Sequence, residues 1–72
     1  MPRLPRDVRQ AEAIRAFVRA GGEERTGKGG HRVVKMPNGH LVSLPTGILK
    51  VGLLSWEIKQ SGLTTEEFAE LL

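Results

Sequence analysis

The residues able to do chemistry sit close together near the middle of this 72-residue chain. His31 follows Gly27-Lys28-Gly29-Gly30 and precedes Arg32, with Lys35 beyond the next two valines. An imidazole has an unperturbed pKa of about 6.5, so near neutral pH it can give or take a proton. Glycines let a phosphate approach the backbone closely, and successive N–H groups in such a loop can form an anion nest. Lys28, Arg32 and Lys35 bring positive charge that would stabilise a phosphorane oxyanion. The combination reads either as a phosphate-binding turn or as a glycine-rich turn next to an exposed histidine. Cleavage of an RNA phosphodiester at such a turn would need the 2′-hydroxyl deprotonated, the 5′-oxygen protonated and the pentacovalent phosphorus neutralised. The second histidine, His40, is a poor partner for His31: along the strand it lies roughly 17 Å away at about 3.3 Å per residue. His31 is therefore expected to work alone, as in a slow nuclease.

Other chemistries are disfavoured by what the chain lacks. It has no cysteine, and no cluster of carboxylates and histidines shows metal-ligand spacing, so neither metal nor cofactor is expected. The nucleotide-binding pattern GxxxxGK[ST] does not occur, so the glycine-rich stretch is not a P-loop. No apolar run reaches the eighteen or so residues of a membrane span. Met1 to Arg6 holds no apolar stretch resembling a signal peptide, and the expectation is a cytoplasmic protein. Eleven Lys and Arg against eight Asp and Glu give a net charge of +3. Ten of the cations fall within the first fifty residues (Arg3, Arg6, Arg9, Arg15, Arg19, Arg25, Lys28, Arg32, Lys35 and Lys50), whereas Glu57, Glu66, Glu67 and Glu70 crowd the tail. Such a balance favours an anionic partner, most often nucleic acid. A domain this small buries only a modest core, so the chemistry belongs on an open surface.

The elements that must position these residues follow from periodicity. Val8 to Ala20 reads as a helix, opened by Asp7 with Gln10 as a capping box and closed by Gly21-Gly22. Ala11, Ile14, Phe17 and Val18 share its apolar face, and Arg9, Glu12, Arg15 and Arg19 the polar one. From Glu23 to Pro45 the period is two. Glu23 to Thr26 forms a short strand, and His31 to Met36 pairs with His40 to Leu44 across Pro37-Asn38-Gly39. These three residues suit a type I turn with glycine in the left-handed bulge position. Met36 then opposes His40, Val34 opposes Val42 and Arg32 opposes Leu44. Val34, Met36, Val42 and Leu44 fall on the buried face, and His31, Val33, Lys35, Leu41 and Ser43 on the open one. Leu54 and Ile58 mark a second helix ending at Gly62. Thr64 with Glu67 caps a short third one carrying Phe68, Leu71 and Leu72. Trp56 lies off the Leu54–Ile58 stripe, where it would pack on a neighbouring element such as the last helix, or stack on a base or a partner protein. The whole chain, residues 1–72, reads as a single α+β domain. Its order is α-β-β-β-α with a short extra C-terminal helix, and its three-stranded antiparallel sheet carries helices on one face.

Several of these segments resemble the HicA toxin family when taken in order. Lys28-Gly29-Gly30-His31 looks like that family's K-G-S-H, and Leu41-Val42-Ser43-Leu44-Pro45 its apolar strand ending in proline. Leu49-Lys50-Val51-Gly52-Leu53-Leu54 and Ile58-Lys59-Gln60-Ser61-Gly62-Leu63 resemble its L-K-x-G-T-L and I-L-K-Q-A-G-L, and Thr65-Glu66-Glu67-Phe68 its usual ending. The likeness covers nearly all of the chain from Asp7. It implies a double-stranded-RNA-binding-like fold and an mRNA-cleaving endoribonuclease whose catalytic histidine carries over to His31. It also implies a HicB-type antitoxin covering the active surface. The RNA-binding set would comprise Lys28, Gly29, Gly30, Arg32 and Lys35. Gly30 stands where the family has serine, Arg32 where a second histidine is common, and Gly47 where a histidine often follows the proline. The segment after Pro45 is also shorter than usual. These departures leave two alternatives: an RNA-binding module of the same fold without catalysis, and a regulatory protein whose basic face meets an acidic protein.

Overall fold

The computed structural model describes residues 4–72; Arg3, counted above among the cations, lies outside them. The elements run α1 (Gln10–Arg19), β1 (Glu23–Arg25), β2 (Arg32–Lys35), β3 (Leu41–Leu44), α2 (Val51–Gln60) and α3 (Thr65–Leu71). The strands form one antiparallel sheet in the order β1-β2-β3. The α+β class and the element order are therefore those expected from the periodicity.

The hairpin register matches the sequence reading residue for residue: Arg32 pairs with Leu44, Val34 with Val42 and Lys35 with Leu41. Its turn explains why. The Gly39 N–H donates to the Met36 carbonyl and the Met36 N–H to the His40 carbonyl, each at 2.9 Å. Gly39 has φ +91°, a conformation that glycine reaches without strain. Alternation then buries Val34, Met36, Val42 and Leu44 completely or nearly so. Lys35, Leu41 and Ser43 remain exposed on the opposite face.

The first helix differs from expectation at its start and over part of its apolar face, where Ile14 and Phe17 are buried as expected. Asp7 adopts φ +60°, a left-handed conformation its short polar side chain tolerates, and the helix begins only after Arg9. The backbone N–H of Arg9 donates to Glu12 Oε1 at 3.1 Å, so Glu12 and not Gln10 reaches back to the cap. The buried residues are Ala13, Ile14, Ala16 and Phe17, whereas Ala11 and Val18, assigned to the core on the helical wheel, are exposed. Two alanines on the inner side let the helix backbone lie close to the sheet, and the apolar stripe turns accordingly. At the other end the expected glycine stop is present. Gly22 N–H donates to the Phe17 carbonyl and Gly21 N–H to that of Val18, a Schellman arrangement. The end of α2 repeats it, with Leu63 donating to Ile58 and Gly62 to Lys59.

One core unites these elements. Leu54 and Ile58 of α2 and Phe68 of α3 join the inner residues of α1 and the sheet. Phe17 and Phe68 pack with ring centroids 4.7 Å apart and ring planes tilted by 53°. Thr64 caps α3 as expected: its Oγ1 accepts from the Glu67 N–H, and Glu67 Oε1 accepts from the Thr64 N–H. Among the described residues no helix is long and apolar enough to cross a membrane.

Candidate functional site

His31 stands one residue before β2, at the end of a tight turn. The turn is closed by the His31 N–H donating to the Lys28 carbonyl at 3.2 Å. Gly29 inside it has φ +61°. Gly27 is forced as well, because a Cβ there would collide with the carbonyl of His31. Lys28, Gly29, Gly30 and His31 are all exposed, so a polyanion can reach each of them.

The carbonyl of Gly30 is held from two directions. It accepts from Gln10 Nε2 and from Thr46 Oγ1, each at 2.7 Å. Gln10 is the first residue of α1, and its side-chain amide also donates to the Leu44 carbonyl at 2.9 Å. Its backbone N–H donates to Gly47, while the Leu49 N–H donates to Val8. The segment after β3 is thereby sewn to the start of α1, which places Thr46 beside the turn. A Cβ on Gly30 would collide with the Thr46 hydroxyl. The glycine found where the resembled family has serine is thus explained by a neighbour that occupies the same space.

The cations expected around His31 divide into two kinds. Lys28 and Lys35 are exposed and lie in no ion pair among the described residues. Arg32 is half-buried and held by both carboxylate oxygens of Glu24 along one edge of its guanidinium, with Nε to Oε2 at 2.8 Å and Nη2 to Oε1 at 2.9 Å. The hydrogen bonds from Arg32 hold the Glu24 carboxyl below its ordinary range, and the same bonds raise Arg32 further. A phosphate must compete with Glu24 for this residue. On the open face Lys35 has Glu23 and Leu41 as cross-strand neighbours. A shallow recess lined by Gly21, Glu23, Arg25, Lys35, Met36 and Pro37 opens at the turn end of the hairpin. It includes neither His31 nor Lys28.

A second polar cluster was not visible in the sequence. Glu57, grouped there with the acidic tail, is buried in α2 at 4% exposure. Its Oε1 lies 2.7 Å from His40 Nε2, and its Oε2 accepts from the Ser43 N–H at 3.1 Å. Trp56, the next residue back, meets the His40 ring edge-on at 5.8 Å and remains 54% exposed. Asn38 completes the joint by accepting from the His40 N–H and donating to the Gln60 carbonyl. These contacts fasten the hairpin to α2, and His40 is committed to them. The available signal was position: Glu57 lies three residues after Leu54 and beside Ile58, on the inner side of the helix. Among the described residues no three His, Asp or Glu side chains converge as metal ligands would. No protein-family model matches the sequence, and no curated protein shows significant similarity to it.

Proposed function

We propose that the chain is a metal-independent endoribonuclease of the HicA toxin type, acting on mRNA in the cytoplasm and held in check by a HicB-type antitoxin. The observation that carries this reading is the exposed His31 beside exposed Lys28, on a turn whose backbone is pinned. His31 takes the proton of a ribose 2′-hydroxyl, and the resulting oxygen attacks the adjacent phosphorus. The P–O5′ bond breaks, giving a 2′,3′-cyclic phosphate and a 5′-hydroxyl whose proton comes from the imidazolium or from water. Lys28 neutralises the attacked phosphate and the glycines at 29 and 30 let it approach; Lys35, about 13 Å further along the strand, holds a neighbouring phosphate, and Arg32 adds charge when it exchanges Glu24 for a phosphate oxygen. The sheet-and-helix layout is in keeping with the double-stranded-RNA-binding-like shape that the resemblance implies. Shape alone does not assign a substrate.

A second reading, an RNA-binding module without catalysis, is favoured by one observation. The only other histidine is engaged by Glu57, so no second imidazole is available for proton transfer. Incubation of labelled RNA with wild type and His31→Ala separates the two. Cleavage by wild type, ending in a 2′,3′-cyclic phosphate and lost in a folded His31→Ala, supports the nuclease. Equal products from both proteins would refute it, and binding with no products would select the module.

A further inference from the structure

We propose that Gln10 and Thr46 are positioning residues that set the orientation of His31 toward its substrate. The inference rests on His31 being the proton-transfer group, and it assigns the machinery that aims it. The peptide unit joining Gly30 to His31 has every polar atom engaged. Its oxygen accepts from the Gln10 amide and the Thr46 hydroxyl, and its N–H donates to the Lys28 carbonyl. An otherwise solvent-facing, glycine-rich turn would sample many backbone conformations. Three hydrogen bonds on the one peptide preceding the His31 Cα remove that freedom where it would matter for proton transfer. Gln10 is well placed for the task because its amide spans two carbonyls, on Gly30 and on Leu44. The turn is thereby referenced to the end of β3 as well as to α1. Thr46 reaches the same oxygen from the opposite chain segment, in the space vacated by the missing side chain at position 30. Residues 30 and 46 therefore share one volume, and only one of them can fill it.

The geometry needed for reaction is sensitive: a displacement of about 1 Å can cost on the order of a hundredfold in rate. Gln10→Met keeps the length of the side chain and removes its donor, and Thr46→Val does the same for the hydroxyl. Each should lower kcat by about tenfold or more with KM nearly unchanged, while the melting transition stays close to wild type. Thr46→Ser, which retains the hydroxyl, should recover most of the rate. Amide exchange at His31 should speed up in Gln10→Met and Thr46→Val and not in Thr46→Ser. Gly30→Ser should be impaired because its side chain meets the Thr46 hydroxyl, and adding Thr46→Gly should restore part of what was lost. Wild-type kcat in both donor-removing variants would overturn the positioning role and leave the nuclease reading standing. Absence of cleavage by wild type would overturn both. A loss confined to thermal stability, with kcat intact below the transition, would reduce the pair to a structural tie.

Discussion

A guanidinium held at two nitrogens by a carboxylate differs chemically from a lysine swinging in solvent. Arg32 is held in this way by Glu24, and the pair orders β1 against β2 at the base of the His31 turn. A consequence for pH follows from the direction of the shift. The folded Glu24 carboxyl sits below its unfolded value because Arg32 donates to it. Its contribution to stability is therefore present above the ordinary carboxylate range and is lost as pH falls through the lowered folded value. The raised value of Arg32 has no effect at any ordinary pH, since the group is protonated throughout. An NMR titration should find Glu24 ionising below the ordinary glutamate value, and Arg32→Ala should return it toward that value. Titration of Glu24 at the ordinary glutamate value in wild type would mean that the ion pair does not persist in solution. The associated change in stability should be small, because both side chains are substantially exposed and solvent screens such pairs.

At the scale of elements, His40 and Glu57 have a structural part. The pair attaches α2 along β3, and the carboxylate also satisfies the Ser43 N–H on the side of β3 away from β2. Truncation of His40 strands one oxygen of a buried carboxylate, which costs about 1–3 kcal/mol. A His40→Ala variant should therefore unfold at lower urea, with the loss concentrated in the hairpin–α2 joint, and RNA cleavage per folded molecule should be unchanged. A matching loss of kcat would bring His40 into the chemistry. Sequence alone showed much of this layer and missed specific parts of it. The hairpin was legible because Pro37-Asn38-Gly39 dictates a register and the alternation of Val34, Met36, Val42 and Leu44 agrees with it. The buried face of α1 was legible in part: Ile14 and Phe17 are buried as expected, but Ala13 and Ala16 suit either side of a helix and Val18 attracts a core assignment. Glu57 was hidden because its partner lies 17 residues away and a lone carboxylate ordinarily reads as solvated. Gln10 and Thr46 were hidden for a similar reason: they bond to backbone carbonyls 20 and 16 residues distant, which no spacing rule marks. His31, Lys28 and Lys35 needed only to be exposed, which their neighbours in sequence already indicated.

For the molecule as a whole, the question is which cations a bound polyanion would meet. The α1 arginines share a solvent face, but Arg19 already donates from Nη1 to the Leu71 carbonyl at the end of α3. Arg25 lies 3.5 Å from Glu23, and Arg32 is occupied by Glu24. Lys28 beside His31 and Lys35 on the open sheet face enter no ion pair among the described residues, as is also true of the exposed Arg6, Arg9, Arg15, Lys50 and Lys59; the His31 reading commits the two lysines to phosphate. Counterion release makes this measurable. Each phosphate neutralised contributes about −0.7 to the slope of log K against log salt on a single strand, and about −0.9 on a duplex. Two such contacts predict a slope of roughly −1.4 for single-stranded RNA. Lys28→Ala and Lys35→Ala should each reduce its magnitude by about 0.7, whereas Arg32→Ala should change it by much less. Fluorescence anisotropy across a series of salt concentrations gives the slopes directly. Unchanged slopes in both lysine variants, with loss on substituting Arg9 and Arg15, would move the RNA to the outer face of α1. Lys28 and Lys35 would then lie outside the bound strand's contacts.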